Sequence, residues 1–292
     1  MRTLLIIDAN SLIHRAFHAL PPLTDISGKP AGALYGISSI LIKLFREVRP
    51  EFVVAAYDRP EPTFRKKEFS DYKAHRPEAA DDLVDQLISS KKIFSGFGIK
   101  SIEAPGFEAD DIIGTLVERF KGAPDIERLV ILSGDLDTLQ LVQGDRVVAW
   151  IPHKGISEFT EYDEPAVIDR FGLPPSLLID YKGLVGDKSD NIPGVHGVGP
   201  KTAVALIKEY GPLEDLYDLS PSPKTEALKR IIVGKESALM SKRLATILRE
   251  VPIGDVSLSD ISVESLKSEE VSSFLDSYGF KNLSERVRSG GI

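Results

Sequence analysis

The strongest constraint on the fold is a set of short apolar runs that alternate with amphipathic stretches. The runs are LLII, FVVAAY, RLVILS and RVVAW, at residues 4–7, 52–57, 128–133 and 146–150. Continuous runs rich in branched residues are typical of strands buried on both faces. Stretches such as ALYGISSILIKLFREV and EADDIIGTLVERF have the period of helices. The alternation predicts an α/β fold with a mainly parallel central sheet and helices on both faces.

The strand pattern fades after about residue 160, and the remaining segments are punctuated by Gly and Pro in the manner of helices. We therefore predict an α/β region at 1–160 and a helical region at 161–292, with a frayed tail, SERVRSGGI. The chain has no cysteine, which excludes disulfides, zinc–thiolate sites and a cysteine nucleophile. No apolar run is long enough to span a bilayer and no export signal is visible, so a cytoplasmic location without membrane contact is expected.

Acidic residues directly follow three of the predicted strands. Because ligand sites form outside the carboxyl ends of parallel strands, these acids are candidates for one shared site. Two further acidic clusters lie in EADD and GDKSD. The nine candidate ligands are Asp8, Asp58, Glu108, Asp110, Asp111, Asp135, Asp137, Asp187 and Asp190.

Nine converging carboxylates repel one another unless cations compensate them. All-oxygen sites suit Mg²⁺ or Mn²⁺, and two such ions can support in-line displacement at phosphorus. This chemistry indicates phosphodiester hydrolysis. Taken singly, an Asp at a strand end is more often a turn former or a helix cap than a ligand, and a structural cation is a minor alternative. The nine acids also account for more than the whole net charge of −8, so the remaining surface need not repel DNA.

The segment TFRKKEFSDYKAHRP, at 63–77, interleaves basic and aromatic side chains. Such a mixture suits a single-strand channel, where cations attract the backbone and aromatics stack on bases. An ordinary solvated helix or loop explains the same composition equally well. The candidate nucleic-acid contacts from this segment are Arg65, Tyr72, Lys73 and Arg76.

The segment GVHGVGPKT follows the last acid pair and ends in a predicted helix. Backbone N–H groups at Gly197 and Gly199, with Lys201 and Thr202, are predicted to hold a phosphate of duplex DNA. Pro200 fits the first turn of that helix. It also stands where a nucleotide-binding P-loop has lysine, and no buried strand leads in, which disfavours an NTPase.

Taken together, these motifs resemble the 5′-nuclease domain at the N-terminus of bacterial DNA polymerase I, within the flap endonuclease and 5′–3′ exonuclease family. The matching segments are IIDANSLIHRAFHALPPL, TFR…YKAHRP, GFEADDIIGTL, LSGDLDTLQLV, GDKSDNIPGVHGVGPKTA and KESALMSKRLATI. The resemblance covers nearly the whole chain.

The resemblance implies a PIN-like nuclease core with a helical arch at about 60–90 and a duplex-binding helix–two-turn–helix at about 186–211. It implies that the nine acids hold two Mg²⁺ ions, for which Mn²⁺ can substitute, and that K⁺ can bind at the helix–two-turn–helix. It also implies that Arg15, Tyr72, Lys73 and Arg76 hold the substrate near the cut.

The resulting hypothesis is a divalent-metal-dependent 5′–3′ exonuclease and 5′-flap endonuclease that acts in primer removal and excision repair. Its catalytic residues are expected to be Lys73, Arg76, Asp8, Asp58 and Asp135. Its partners are expected to be DNA with 5′ flaps, nicks or single-stranded 5′ ends and a linked or separate DNA polymerase, and the protein is expected to be a monomer. The alternatives are a PIN-type ribonuclease and a catalytically silent DNA-binding domain.

Overall fold

The sheet at the centre of the molecule has the parallel arrangement that the apolar runs predict. The computed structural model describes residues 2–155, 158–218 and 225–292. Within these ranges, six strands form one sheet in the order β3-β2-β1-β4-β5-β6. They are β1 (Thr3–Asp8), β2 (Phe52–Tyr57), β3 (Lys100–Glu103), β4 (Arg128–Leu132), β5 (Val147–Lys154) and β6 (Glu158–Tyr162). The first five are parallel and β6 is antiparallel to β5, which confirms the mainly parallel sheet.

The strands β3 and β6 were not predicted from the sequence. Both lie at the edges of the sheet, and their residues are mostly exposed or half-buried. An edge strand has one unpaired side and needs no continuous apolar run, so its sequence carries a weaker signal than that of a central strand.

Helices cover both faces of the sheet. The first five helices are α1 (Ala9–Ala19), α2 (Gly32–Glu47), α3 (Phe64–Glu68), α4 (Asp81–Gly96) and α5 (Ala109–Phe120). Side chains of β1 alternate between two core clusters, because successive residues of a strand point to opposite faces. Leu4 and Ile6 pack with residues of α5, whereas Leu5 and Ile7 pack with residues of α1, α2 and α4.

The chain after the sheet is helical. Its helices are α6 (Glu164–Phe171), α7 (Leu178–Val185), α8 (Pro200–Tyr210), α9 (Leu213–Asp218), α10 (Glu226–Val233), α11 (Lys235–Ala245), α12 (Ser268–Ser277) and α13 (Lys281–Gly290). Short 3₁₀ helices occur at Leu136–Leu141, Pro175–Leu177 and Leu258–Ile261. Among the described residues, no helix is both long and apolar enough to cross a bilayer.

The last two helices return to the α/β part of the molecule. Val271, Leu275, Leu283 and Val287 are buried in the same core cluster as residues of α2 and α4. The prediction of a frayed tail is therefore wrong, since most of it belongs to α13. The sequence SERVRSGGI has few apolar residues and therefore gives little sign of a helix. The apolar residues that anchor α13, Leu283 and Val287, are one helical turn apart.

The segment predicted to bind duplex DNA lies between two helices. It leaves α7 at Val185, turns through a Gly-rich stretch and enters α8 at Pro200. Pro200 occupies the first helical position, as predicted, because its fixed φ suits the first turn and no N–H is needed there. Gly197 has φ +77°, a backbone conformation that favours glycine.

Candidate metal centre

A cavity of about 690 Å³ opens at the carboxyl edge of the sheet, where β1, β2 and β4 end. Five of the nine predicted metal ligands line it, together with several cationic or imidazole side chains. The acids are Asp8, Asp58, Glu108, Asp110 and Asp135, and the other side chains are His14, Arg15, His18, Lys73 and Arg76. The cavity therefore offers carboxylates for cations beside positive groups for an anion.

Two of the acids are positioned by helix starts. Asp8 ends β1 and caps α1, where its carboxylate accepts a hydrogen bond from the backbone N–H of Ser11 at 3.0 Å. The carboxylate of Asp58 accepts from the backbone N–H of Ala109 at 2.7 Å, at the start of α5. The same residue types therefore serve as caps and as cavity walls, because an N-terminal N–H group stabilises a carboxylate.

Two residues that the sequence analysis did not identify hold these acids in place. The hydroxyl of Ser133 donates to Asp8 at 2.6 Å, and the backbone N–H of Asp58 donates to the side-chain oxygen of Asn10 at 3.1 Å. Both lie within two residues of a candidate ligand along the chain. Their proximity to Asp8 and Asp135 in the sequence is a signal that could have found them.

The acids of the cavity repel one another. Burial, followed by the charges of Asp58 and Asp135, raises the pKa of Asp8 to about 7 against the opposing bonds from Ser133 and Ser11. Burial and the charges of Asp135, Asp8 and Asp137 raise the pKa of Asp110 well above its ordinary value. A divalent cation would relieve this repulsion, so the donor set fits a hard, oxygen-liganded ion.

A second group of acids is joined by a lysine that the sequence analysis missed. Lys182 donates to both Asp137 and Asp187, with a distance of 2.7 Å to the latter. Burial raises the pKa of Asp137 to about 7 despite Lys182. Burial also acts to raise the pKa of Asp187, but the charge and hydrogen bond of Lys182 and the bonds from Ser189 lower it to about 2. Lys182 is thus the cation that this pair holds in the structure.

Asp190 lies between the basic segment and the acids. Its carboxylate accepts from Tyr72 at 3.1 Å and from Arg76 at 2.5 Å, and the Lys73 ammonium lies 3.7 Å away. The backbone of Lys73 also donates to the carbonyl of Asp190 at 2.9 Å. Segment 72–76 is therefore docked on the loop that carries Asp187 and Asp190.

Glu108 is the acid that joins this docked segment to the cavity. Its carboxylate accepts from the Lys73 ammonium at 2.9 Å and from the Tyr72 hydroxyl at 3.1 Å. Thr63 adds a third bond at 3.2 Å. Lys73 has φ +53°, a strained conformation for a residue other than glycine. The two hydrogen bonds of Lys73, from its backbone and its ammonium, hold it in this conformation.

The structure does not place Asp111 with the other candidate ligands. Asp111 is fully buried, and its carboxylate accepts two bonds from Arg65 and one each from the backbone N–H groups of Glu108 and Leu248. With its acceptor positions used in this way, Asp111 has no oxygen to offer a metal ion, and we remove it from the proposed ligand set.

The structure also contradicts the prediction that Arg65 and Tyr72 contact DNA. Both are 3 % exposed. The guanidinium of Arg65 faces Asp111, and the Tyr72 hydroxyl shares its single proton between the carboxylates of Glu108 and Asp190. Neither side chain is on a surface that DNA can reach. Composition identified them as a cation and an aromatic but could not show which way they point.

The remaining predicted contacts are accessible. Gly197, Gly199 and Lys201 are exposed and Thr202 is half-buried at the start of α8. Arg15 lines the cavity and donates to the carbonyl of Gly155 at 2.7 Å. Residues 60–90 form α3, a turn-rich stretch and the first part of α4, and the helical arch remains a prediction.

The acids form a lining and not a closed coordination sphere. In the ranges that the structure describes, no three Asp, Glu or His side chains are already arranged to hold one ion. The fit to a metal ion is therefore one of charge and ligand chemistry.

Comparison with known proteins points to one family over nearly the whole chain. Residues 3–172 match the family model of the 5′–3′ exonuclease N-terminal resolvase-like domain. Residues 173–269 match that of the 5′–3′ exonuclease C-terminal SAM fold.

Curated relatives agree with these matches. DNA polymerase I of Caldicellulosiruptor bescii is 38% identical over 286 residues, which cover 97% of this chain and 33% of the relative. DNA polymerase I of Bacillus subtilis is 38% identical over 287 residues, which cover 98% of this chain and 32% of the relative. The chain thus spans about a third of the length of these relatives.

The fold is shared with a solved nuclease. A flap endonuclease variant of bacteriophage T5, in a pseudo-enzyme-product complex with DNA and metal ions, matches with a TM-score of 0.67 at 19% identity. The match covers 99% of both chains. At this identity the likeness concerns the fold.

Proposed function

The chain belongs to the 5′–3′ exonuclease family, and we propose that its cavity hydrolyses phosphodiester bonds in DNA that carries 5′ flaps or single-stranded 5′ ends. The observation that carries the proposal is the cavity itself. Its acids Asp8, Asp110 and Asp135 adjoin Lys73 and Arg76, so a cation site and an anion site share one space.

Two Mg²⁺ ions are the proposed cofactors, and Mn²⁺ is proposed to replace them. The chemistry of the donor set supports oxygen-preferring divalent ions. We propose that the ions are held by Asp8, Asp58, Glu108, Asp110, Asp135, Asp137, Asp187 and Asp190. When bound, such ions polarise the phosphate and activate water for in-line attack. K⁺ at the turn before α8 is a further proposal.

The protein's own residues bind and orient the phosphate. Lys73 lies within the cavity with its ammonium 2.9 Å from Glu108, and Arg76 lines the same cavity beside Asp190. Both can neutralise charge that develops on the scissile phosphate. Water adds to phosphorus, the bond to the 3′ oxygen breaks, and that oxygen takes up a proton. The products are a 5′ phosphate and a 3′ hydroxyl.

The duplex beside the cut is proposed to lie on the turn before α8. The exposed backbone of Gly197 and Gly199 and the side chain of Lys201 are arranged at a helix start, where N–H groups and the helix dipole favour a phosphate. Such contacts position DNA without reading its sequence. A DNA polymerase as linked or separate partner, action in replication and repair, a monomeric state and a cytoplasmic location also remain proposals.

Cleavage of a labelled flap tests the function. We expect a 5′-labelled flap DNA to be cut near the junction in Mg²⁺ and to remain intact in EDTA, because the repelling acids need a cation. Single-stranded RNA of the same sequence serves as the competing substrate. Preference for that RNA would favour a PIN-type ribonuclease, and binding of the flap without any cleavage would favour a silent binding domain.

Lys182→Met tests whether Lys182 competes with a divalent ion. We expect Mn²⁺ to bind the variant at least about tenfold more tightly, since a charge contact at about 4 Å is worth roughly 4 kcal/mol near a protein surface. Titration of metal-free protein with Mn²⁺, followed by electron paramagnetic resonance, measures the affinity. Lys188→Met is the control, because Lys188 is an exposed lysine next to Asp187 in the loop that follows α7. If Lys182→Met and Lys188→Met bind Mn²⁺ with equal affinity, Lys182 does not compete with a divalent ion and stays paired with the acids.

A further inference from the structure

The end of α11 and the segment that follows it, residues 244–248, are tied to three separate elements of the molecule. Arg65 of α3 donates to the carbonyls of Leu244 and Thr246, each at 2.8 Å. Asp111 of α5 accepts from the backbone N–H of Leu248 at 2.9 Å. A third tie comes from the 3₁₀ helix that carries Asp137: Gln140 of that helix bonds the backbone of residues 245 and 247. Residues 244–248 thus connect α3 with α5 and with the 3₁₀ helix, the two of these elements that carry candidate acids.

Arg65 and Asp111 form the centre of these ties. They make two parallel bonds of 2.7 Å, and they are 3 % and 0 % exposed. The same guanidinium lies 3.8 Å from the carboxylate of Glu108, and Asp111 accepts from the backbone N–H of Glu108. A paired fork of this kind fixes geometry as well as charge. The pair therefore sets where Glu108 lies relative to residues 244–248.

The other end of α11 holds the turn proposed to bind duplex DNA. Ser241 accepts from the backbone N–H of Gly194 at 3.0 Å, and Ser237 donates to the carbonyl of Gly194 at 2.6 Å. Leu244 packs with Tyr72 and Ile192 in a small apolar cluster. Hence α11 contacts the turn after Asp190 at one end and the Arg65–Asp111 pair at the other.

A purely stabilising role would not require this arrangement. Buried ion pairs add little net stability compared with apolar side chains of similar volume. Among the described residues, every side-chain hydrogen bond that the pair makes outside itself goes to the backbone of Glu108 or of residues 244–248. The pair thus joins a proposed metal ligand to a single segment.

We propose that Arg65 and Asp111 are positioning residues that couple the helices holding the duplex to the acids of the cavity. This inference rests on the proposed nuclease function. Without the tie, the duplex is still bound, but the scissile phosphate and Glu108 are no longer held in register. The loss is therefore confined to the chemical step on substrates that contain duplex.

The test compares two substrates on the variant Asp111→Asn. We expect kcat on flap DNA to fall about 10- to 100-fold with KM within about twofold, because a displacement of about 1 Å can cost roughly 100-fold. Cleavage of the single strand alone is expected to change less than about twofold, since no duplex is held. Arg65→Lys, which keeps the charge and loses the fork, is expected to show the same selective loss to a smaller extent.

The control is Arg243→Gln. Arg243 and Glu68 form an exposed ion pair, at 3.4 Å, between the same two helices, α11 and α3. We expect this variant to behave as wild type on both substrates, because exposed pairs contribute little.

Each outcome bears on the proposal. Loss on both substrates in equal proportion, in parallel with the folded fraction seen by circular dichroism, would show a structural role and overturn it. Unchanged flap cleavage by Asp111→Asn would also overturn it. If Asp111→Asn does not fold, Arg65→Lys decides by the same ratio. A wild-type protein that does not cut flap DNA would instead refute the proposed function, independently of this pair.

Discussion

Asp110→Asn is expected to reduce flap cleavage by more than about 100-fold, since loss of a group that only supports a metal ligand already costs 10- to 100-fold. The substitution keeps the shape of the side chain and removes its charge. Asp110 lines the cavity and is repelled by Asp135, Asp8 and Asp137, which makes it a group that a cation would contact. Flap binding, measured by fluorescence anisotropy in Ca²⁺, is expected to change less than cleavage.

Asp110→Asn is expected to stabilise the metal-free protein in EDTA, although it impairs cleavage. Burial and the neighbouring acids raise the pKa of Asp110 in the folded protein, so this carboxyl opposes folding at any pH above the ordinary carboxyl range. Replacing it with Asn is therefore expected to raise the melting temperature at neutral and higher pH. Added Mg²⁺ is expected to stabilise the variant less than the wild type, because bound ions stabilise by mass action. Differential scanning calorimetry measures both shifts.

Asp85→Asn is the matched control for Asp110→Asn, because Asp85 is an exposed residue of α4 outside the cavity lining. Near wild-type cleavage by Asp110→Asn would remove Asp110 from the proposed site. Equal loss of cleavage and binding would show that it serves to hold DNA.

Lys73→Ala is expected to lower kcat by about 100-fold, within the range found when one charge-stabilising donor is removed. The Lys73 ammonium lies in the cavity, 2.9 Å from Glu108 and 3.7 Å from Asp190. Alanine retains a Cβ, so the strain at φ +53° is the same in both proteins and does not confuse the comparison. Single-turnover cleavage of flap DNA measures the chemical step.

Lys67→Ala is the control, because Lys67 is an exposed lysine of α3 in the same basic segment. It should retain nearly full turnover. A circular dichroism melt checks that both variants fold. Lys67→Ala is expected to melt as wild type, and Lys73→Ala somewhat earlier, because the half-buried Lys73 ammonium pairs with Glu108. Normal turnover in Lys73→Ala would mean that this ammonium pairs with the neighbouring carboxylates and takes no part in the chemical step.

The position of the acids at strand ends followed from the sequence. Asp8 and Asp58 come directly after apolar runs, and buried parallel strands bring their carboxyl ends to one edge. Two helix starts were also predictable, because Pro200 and the acids of EADD have local preferences for such positions. These are properties of residues close together in the chain.

The tertiary structure alone decided which polar groups are saturated by hydrogen bonds within the protein and which face the cavity. Arg65 meets Leu244 across 179 positions, and Lys182 meets Asp137 across 45. Composition made Arg65 a DNA contact and Asp111 a metal ligand, whereas packing turned them into a buried pair. The reason is that burial and hydrogen-bond saturation depend on which distant elements pack together, and a local pattern of residue types does not contain that information.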